Sequence, residues 1–212
     1  MELPLEKRLK KRLHIDIAYL QDELVDILYD LKNEFVFHGG TCIWRCYSGG
    51  RFSEDLDFYG NVEKDFKNKL EEKLKTRGLI LKKYKKTENV LFSKISKENI
   101  EVRLEIRLTG KKGIIGNYEK TDGTIMNVLM ISAEELLLEK IDAYSNRRLI
   151  RDIYDIFYLS SVIELGKQEK NRVRTFLSNI GRPLDEGNLK AIVYAGNIPN
   201  FNQIVEYLKR KI

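Results

Sequence analysis

Cysteine is nearly missing from this chain: Cys42 and Cys46 are the only two in 212 residues. Two thiols cannot staple a disulfide scaffold. Four positions apart on an expected helix they share a side, where an intrahelical disulfide fits badly. With the nearby His38 they offer three zinc ligands where a structural site normally takes four, so reduced, partly buried thiols in a cytoplasmic protein are the better reading. No apolar run approaches the length of a membrane span, and Met1-Glu2-Leu3-Pro4 leads into charged sequence instead of a signal peptide. No internal repeat or low-complexity tract is visible. The expectation is a soluble, cytoplasmic protein.

What remains is enough for a real core, with 42% hydrophobic residues. Lys and Arg outnumber Asp and Glu by 38 to 32, a net charge of +6 with a pI near 9.1. That balance favours an anionic partner such as a nucleotide or RNA, though the excess is mild, and a Lys-, Glu- and Ile-rich thermophile composition produces the same bias.

Helical spacing of Leu13, Ile17, Leu20, Leu24, Ile27 and Leu31 predicts one helix from Pro4 to about Lys32. Its opening Lys7-Arg8-Leu9-Lys10-Lys11-Arg12 reads as a solvated basic face before an RNA contact. Strands are expected at 35–37, 55–58, 79–84, 90–95, 100–108 and 124–130, a short helix at 41–47, and an amphipathic helix at 63–77 closed by Gly78. Residues 110–123 read as a loop. From the capping box Ser132-Ala133-Glu134-Glu135 the pattern is helical to the C-terminus, broken near Gly166, Pro183 and Pro199. The fold class is therefore α/β (α+β), with a mixed-sheet core over 1–131 and a helical region over 132–212.

The chemistry concentrates in Phe37-His38-Gly39-Gly40-Thr41 and Arg51-Phe52-Ser53-Glu54-Asp55-Leu56-Asp57-Phe58. On an extended chain Asp55 and Asp57 share one face and Leu56 and Phe58 the other. Two such carboxylates can share divalent metal, and hard oxygen ligands suit Mg²⁺ or Mn²⁺. Gly39 and Gly40 let backbone approach a ligand closely, and a helix opening at Thr41 points N–H groups at a phosphate. Ser53 lies on the Asp55 face, where its hydroxyl can bond a phosphate, and Arg51 can pair with a phosphate oxygen. His38 reads as a strand-end histidine.

A glycine pair, a helix and Asp-x-Asp on a strand resemble the polymerase-β-type nucleotidyltransferases. The longer pattern through Arg51-x-Ser53-x-Asp55-x-Asp57 is similar to the AbiEii-type toxins of abortive-infection and toxin–antitoxin systems. That resemblance implies a polymerase-β-like core that takes an NTP with Mg²⁺ and transfers NMP to an acceptor hydroxyl. It implies an RNA acceptor, a tRNA 3′ end among the candidates, and a separately encoded antitoxin. It assigns Asp55 and Asp57 to metal and catalysis, and makes Glu105 the candidate third metal ligand. A cross-strand ion pair with Arg103 or Arg107 is the competing role for Glu105. Lys140 lies within the apolar stripe of Ala133, Leu136, Leu137, Ile141 and Tyr144; it either snorkels outward or, as the resemblance implies, contacts nucleotide phosphates. In Arg151-Asp152-Ile153-Tyr154-Asp155 the resemblance matches Asp152 to the catalytic acid, with Asp155 second at the nucleotide; a dipole-stabilised acidic pair is the alternative. The helical region would then complete the active site. The competing function is a catalytically silent fold of the same kind that only binds nucleotide or RNA.

Overall fold

The computed structural model describes residues 3–32 and 34–212, so the expectation placed on Met1 and Glu2 lies outside the described residues. The chain divides into two compact units. Residues 1–48 and 52–131 form the first, and 49–51 with 132–212 the second.

The first unit is built on a seven-stranded mixed sheet of order β3-β4-β5-β2-β1-β7-β6. Its strands are β1 (Val36–His38), β2 (Leu56–Tyr59), β3 (Ile80–Lys86), β4 (Val90–Lys97), β5 (Ile100–Arg107), β6 (Ile114–Glu119) and β7 (Ile125–Met130). β2 runs parallel to β5 and antiparallel to β1, while β1 runs parallel to β7. Helix α2 (Arg12–Leu31) lies against β5, and α4 (Phe66–Thr76) against α2 and β3. The short α3 (Gly39–Cys46) contacts β1, β2 and β6. The core is rich in aromatics: Phe37 and Phe58 stack at 4.7 Å between centroids, and Phe35 meets Phe58 edge-on. Alternation along β5 is as expected, with Val102, Leu104 and Ile106 buried and Glu101, Arg103 and Arg107 exposed.

Two elements differ from the sequence reading. The single N-terminal helix is two pieces, α1 (Leu5–Arg8) and α2, separated by extended backbone at Leu9 (φ −73°, ψ 134°). A continuous helix would stack Lys7 over Lys11 and Arg8 over Arg12, like charges one turn apart. Instead the Glu6 N–H bonds the Thr121 carbonyl at 2.9 Å and Arg8 pairs with Glu119, which fixes the first turn to another part of the unit. The second difference is β6, found inside the stretch read as a loop. Ile114 and Ile115 point to solvent, so no apolar alternation marks it. It is held by its backbone ladder to β7 and by buried Tyr118, whose hydroxyl donates to Asp22 at 2.8 Å.

The second unit is helical: α5 (Ala133–Arg147), α6 (Ile150–Val162), α7 (Lys167–Ser178), a 3₁₀ turn at Glu186–Asn188, α8 (Leu189–Ile192) and α9 (Phe201–Lys211). The Ser132–Glu135 capping box is present in both directions, and Asn200–Gln203 forms a second. Leu137, Ile153, Ile156, Leu159, Ile204 and Leu208 fill its core. Residues 49–51 belong here because the Gly50 carbonyl accepts from the Tyr194 and Ala195 N–H groups and Arg51 bridges to Val193. A Cβ on Gly50 would come within 2.5 Å of the Ala195 oxygen, so only glycine permits that approach. Among the described residues no helix is long and apolar enough to cross a membrane. The fold is α+β, a mixed sheet followed by a helical C-terminal half.

Candidate active site

In the sheet unit, the carboxylate end of β2 is held from three sides. Asp57 lies in β2 in register with His38 of β1 and Glu105 of β5, so all three share one face of the sheet. Gly39 opens α3 at φ +76°, and a Cβ there would sit 2.3 Å from Asp57 Oδ2. The glycine is therefore needed twice, for its backbone angle and for the space Asp57 takes up. Asp55 immediately precedes the strand. Its carbonyl accepts from the Thr41 hydroxyl, and the Ser53 and Glu54 carbonyls before it both accept from Gln21 Nε2 at 2.9 Å. Thr41 and Gln21 are fully buried and set the path of this loop. Ser53 is half-buried.

The Asp55 carboxylate carries a fork–fork pair with Arg103, Nε to Oδ1 at 2.7 Å and Nη2 to Oδ2 at 2.6 Å. Hydrogen bonding to Asp55 is the main reason the Arg103 guanidinium is held above its usual pKa. Asp55 thus already attracts a cation in this geometry. Glu105 is 3.5 Å from Arg107 Nε. Among the described residues no three His, Cys, Asp or Glu side chains are grouped so as to hold a metal ion. The donors at this end of the sheet are the Asp55 and Asp57 carboxylates, hard oxygens that fit Mg²⁺ or Mn²⁺, with Glu105 beside Asp57 in the sheet. His38 is buried and stacked on Tyr59 at 3.9 Å, a strand-end packing role.

The helical unit holds a buried ionic cluster. Lys140 does not run out to solvent: its ammonium is 2.8 Å from Asp155 and 3.7 Å from Asp152. Arg51 meets Asp155 through Nε and Nη2, both at 2.6 Å, and Arg147 meets Asp152 through Nε and Nη2, both at 2.7 Å. Asp152 and Asp155 share a face of α6, one turn apart. Burial alone would push the Asp155 carboxyl up, but the Arg51 and Lys140 charges outweigh it and hold it below the usual carboxylate range. Within the cluster three cations face two carboxylates, one positive charge in excess.

The structure therefore brings Gly39 to Asp57, Thr41 to Asp55 and Glu105 into register with Asp57 in one unit. In the other it gathers Arg51, Lys140, Asp152 and Asp155. Arg51 spends its fork on Asp155, and Thr41 spends its hydroxyl on backbone. Gln21 and Arg103 join the site without belonging to any motif in the sequence. Gln21 is a polar side chain on the buried stripe of α2, which is the signal that finds it; Arg103 is visible only once β5 is paired with β2.

The model of the nucleotidyl transferase AbiEii toxin family, type IV toxin–antitoxin system, matches residues 24–203. Among solved structures, JHP933 from Helicobacter pylori is similar with a TM-score of 0.70 at 18% identity, covering 96% of this chain and 91% of that one. A putative nucleotidyltransferase from H. pylori gives a TM-score of 0.69 at 18% identity, covering 95% and 94%. MenT4, the nucleotidyltransferase toxin Rv2826c from Mycobacterium tuberculosis H37Rv, gives 0.58 at 17% identity, covering 92% and 81%. At such identities these likenesses speak for the fold. A search of the curated proteins found no match.

Proposed function

The chain belongs to the nucleotidyl transferase AbiEii toxin family, and we propose that it moves NMP from an NTP to an acceptor hydroxyl with the help of a divalent metal ion. The observation that carries this reading is the Asp55–Asp57 pair at the edge of β2, with Gly39 making room for Asp57 and Arg103 already drawn to Asp55. Asp55 and Asp57, with Glu105 as the third position, would hold Mg²⁺ or Mn²⁺. When bound, such an ion supplies charge stabilisation to the transferring phosphoryl group and the pyrophosphate that leaves.

The rest falls to this chain's own groups. Gly39 and Gly40 let the backbone approach the triphosphate, and Ser53 offers a hydroxyl to a phosphate oxygen. Lys140 contributes a charge-assisted contact to the nucleotide phosphates, and Asp152, clamped by Arg147, orients it as the residue matched to the family's catalytic acid. Asp155 and Arg51 keep Lys140 and α6 in place. In the transfer, the acceptor hydroxyl gives its proton to solvent as its oxygen bonds the α-phosphorus, the bond from that phosphorus to the oxygen bridging it to the β-phosphorus breaks, and pyrophosphate departs carrying that oxygen. The acceptor we assign is RNA, with a tRNA 3′ end as the first candidate, in a cytoplasmic toxin whose antitoxin is encoded separately.

Incubation with each labelled NTP, Mg²⁺ and total tRNA tests this. Label transferred to RNA from one NTP, with matching pyrophosphate release, is the expected result. Nucleotide binding without transfer to any acceptor would leave a silent binding fold as the better account. Failure to bind any NTP with Mg²⁺ would remove the nucleotide site itself.

A further inference from the structure

One long stretch of this chain carries a dense positive surplus. Residues 63–86 contain ten Lys and Arg against four Asp and Glu, a surplus of six that equals the net charge of the whole chain. The acids of that segment lie on or beside α4, where Lys67 pairs with Glu71 and Lys69 with Asp65. Strand β3, Ile80-Leu81-Lys82-Lys83-Tyr84-Lys85-Lys86, has none. Its four lysines are exposed, and among the described residues none has a carboxylate partner.

β3 is an edge of the sheet, and lysines there hinder edge-to-edge pairing between copies. That accounts for charge on β3 and not for where the charge leads. Register carries it inward along one face of the sheet. Lys83 lies in register with Lys94 of β4, whose ammonium also meets Glu101 at 2.7 Å; Lys94 lies in register with Arg103 of β5, and Arg103 reaches the Asp55 carboxylate. The next row runs from Lys85 through Phe92 and Glu105 to Asp57. These side chains are exposed or half-exposed, and the half-exposed Phe92 ring has Lys83 Nζ 5.4 Å from its centroid. The two rows thus join a cationic sheet edge to the two carboxylates, with one aromatic face between them.

We infer that the face of β3, β4 and β5 bearing Lys83, Lys85, Phe92 and Lys94 binds single-stranded RNA and leads its terminal hydroxyl to Asp55 and Asp57; the direction of travel rests on the nucleotidyltransferase reading. A phosphodiester chain needs regularly spaced cations, and an unpaired base needs a flat apolar partner. The strand repeat supplies the first, since Lys83 and Lys85 are alternate residues on one face. Phe92 supplies the second. An acidic protein would be drawn by the lysines but has no use for an aromatic platform in line with them.

The test resolves the two faces of the same strand. One variant carries Lys83→Gln and Lys85→Gln on the open face; its control carries Lys82→Gln and Lys86→Gln, which remove the same charge from the other face. The probe is a labelled oligouridylate of roughly a dozen nucleotides, titrated across about 50–200 mM salt. The open-face variant is expected to lose about tenfold in affinity at low salt, with its salt slope shallower by about 1.4. The control should lose much less, and Phe92→Ala should lose roughly fivefold with its salt slope unchanged. Thermal melts establish that each variant is folded. Equal losses in both lysine pairs, no loss in the open-face pair, or binding of polyglutamate as tight as that of RNA would each overturn the inference. Nucleotide binding with Mg²⁺ is measured in parallel. RNA binding lost in the variant from a wild type that releases no pyrophosphate with any NTP would support the RNA face while removing the catalytic reading.

Discussion

Gly39 and Asp57 occupy the same few ångströms, and this contact sets the sharpest expectation for a single residue. Gly39→Ala places a methyl where Asp57 Oδ2 now lies, at a backbone angle that disfavours any side chain. Asp57 must move, so transfer should fall by two orders of magnitude or more while nucleotide affinity changes less, a split read from kcat against KM. Asp55→Asn and Asp57→Asn should each abolish transfer with the fold intact, because each removes one negative ligand at a half-exposed position; circular dichroism and a transfer assay check both. Near wild-type activity in either would end the metal assignment. Arg103 makes a prediction of the opposite sign. It now supplies the positive charge at Asp55, so Arg103→Gln should raise Mn²⁺ affinity several-fold in a calorimetric titration. Both partners of that pair are partly exposed, so little folding stability should be lost. Unchanged or weaker Mn²⁺ binding would show that Arg103 does not compete for Asp55.

At the scale of elements, α5, α6 and the 49–51 segment are tied by one cluster, and its members are not equivalent. Arg51→Met leaves Asp155 with Lys140 alone in a buried site and should cost about 3–5 kcal/mol, seen as a lowered midpoint in denaturant. Lys140→Ala leaves Asp155 with its Arg51 fork, so it should cost less stability while nucleotide affinity falls roughly tenfold or more. Unchanged nucleotide affinity would leave Lys140 a purely structural ion. The sequence was readable wherever an element carries its own signal. β5 alternates, Ser132–Glu135 caps α5, and Gly78 closes α4 at φ +69°. It was opaque where the signal lies on a distant partner. β6 exists because β7 pairs with it, the α1–α2 break because Thr121 and Glu119 take hold of the first turn, and the Arg51–Asp155 fork spans 104 residues. The Gly39, Gly40, Asp55 and Asp57 pattern was legible because backbone freedom and alternation are local properties. Gln21 stands out only as a polar residue on the buried stripe of α2, and its task was not legible, since the backbone loop it holds is more than thirty residues away.

For the whole molecule, acid is the condition that reads these ion pairs most directly. Asp155 is buried, and Arg51 and Lys140 hold its carboxyl below the ordinary range against the pull of burial. Its folded pKa is therefore lower than its unfolded value of about 3.9, and the folded protein binds fewer protons at this position. By linkage the stabilisation is fully present above that unfolded value and drains away as pH falls through the lower folded one. General protonation of the other carboxylates lowers stability in acid as well, so the wild type alone does not isolate Asp155. Asp155→Asn does. At neutral pH the variant should melt well below the wild type, because Arg51 and Lys140 lose their common counter-charge in a buried site. As pH falls below about 4 the wild type should approach the variant, the gap closing as Asp155 takes up its proton. Thermal midpoints of the two full-length chains across this range measure that gap. A gap that stays constant down to acid unfolding would mean that Asp155 does not carry its charge as a stabilising ion, and that the helices around it are held by packing alone.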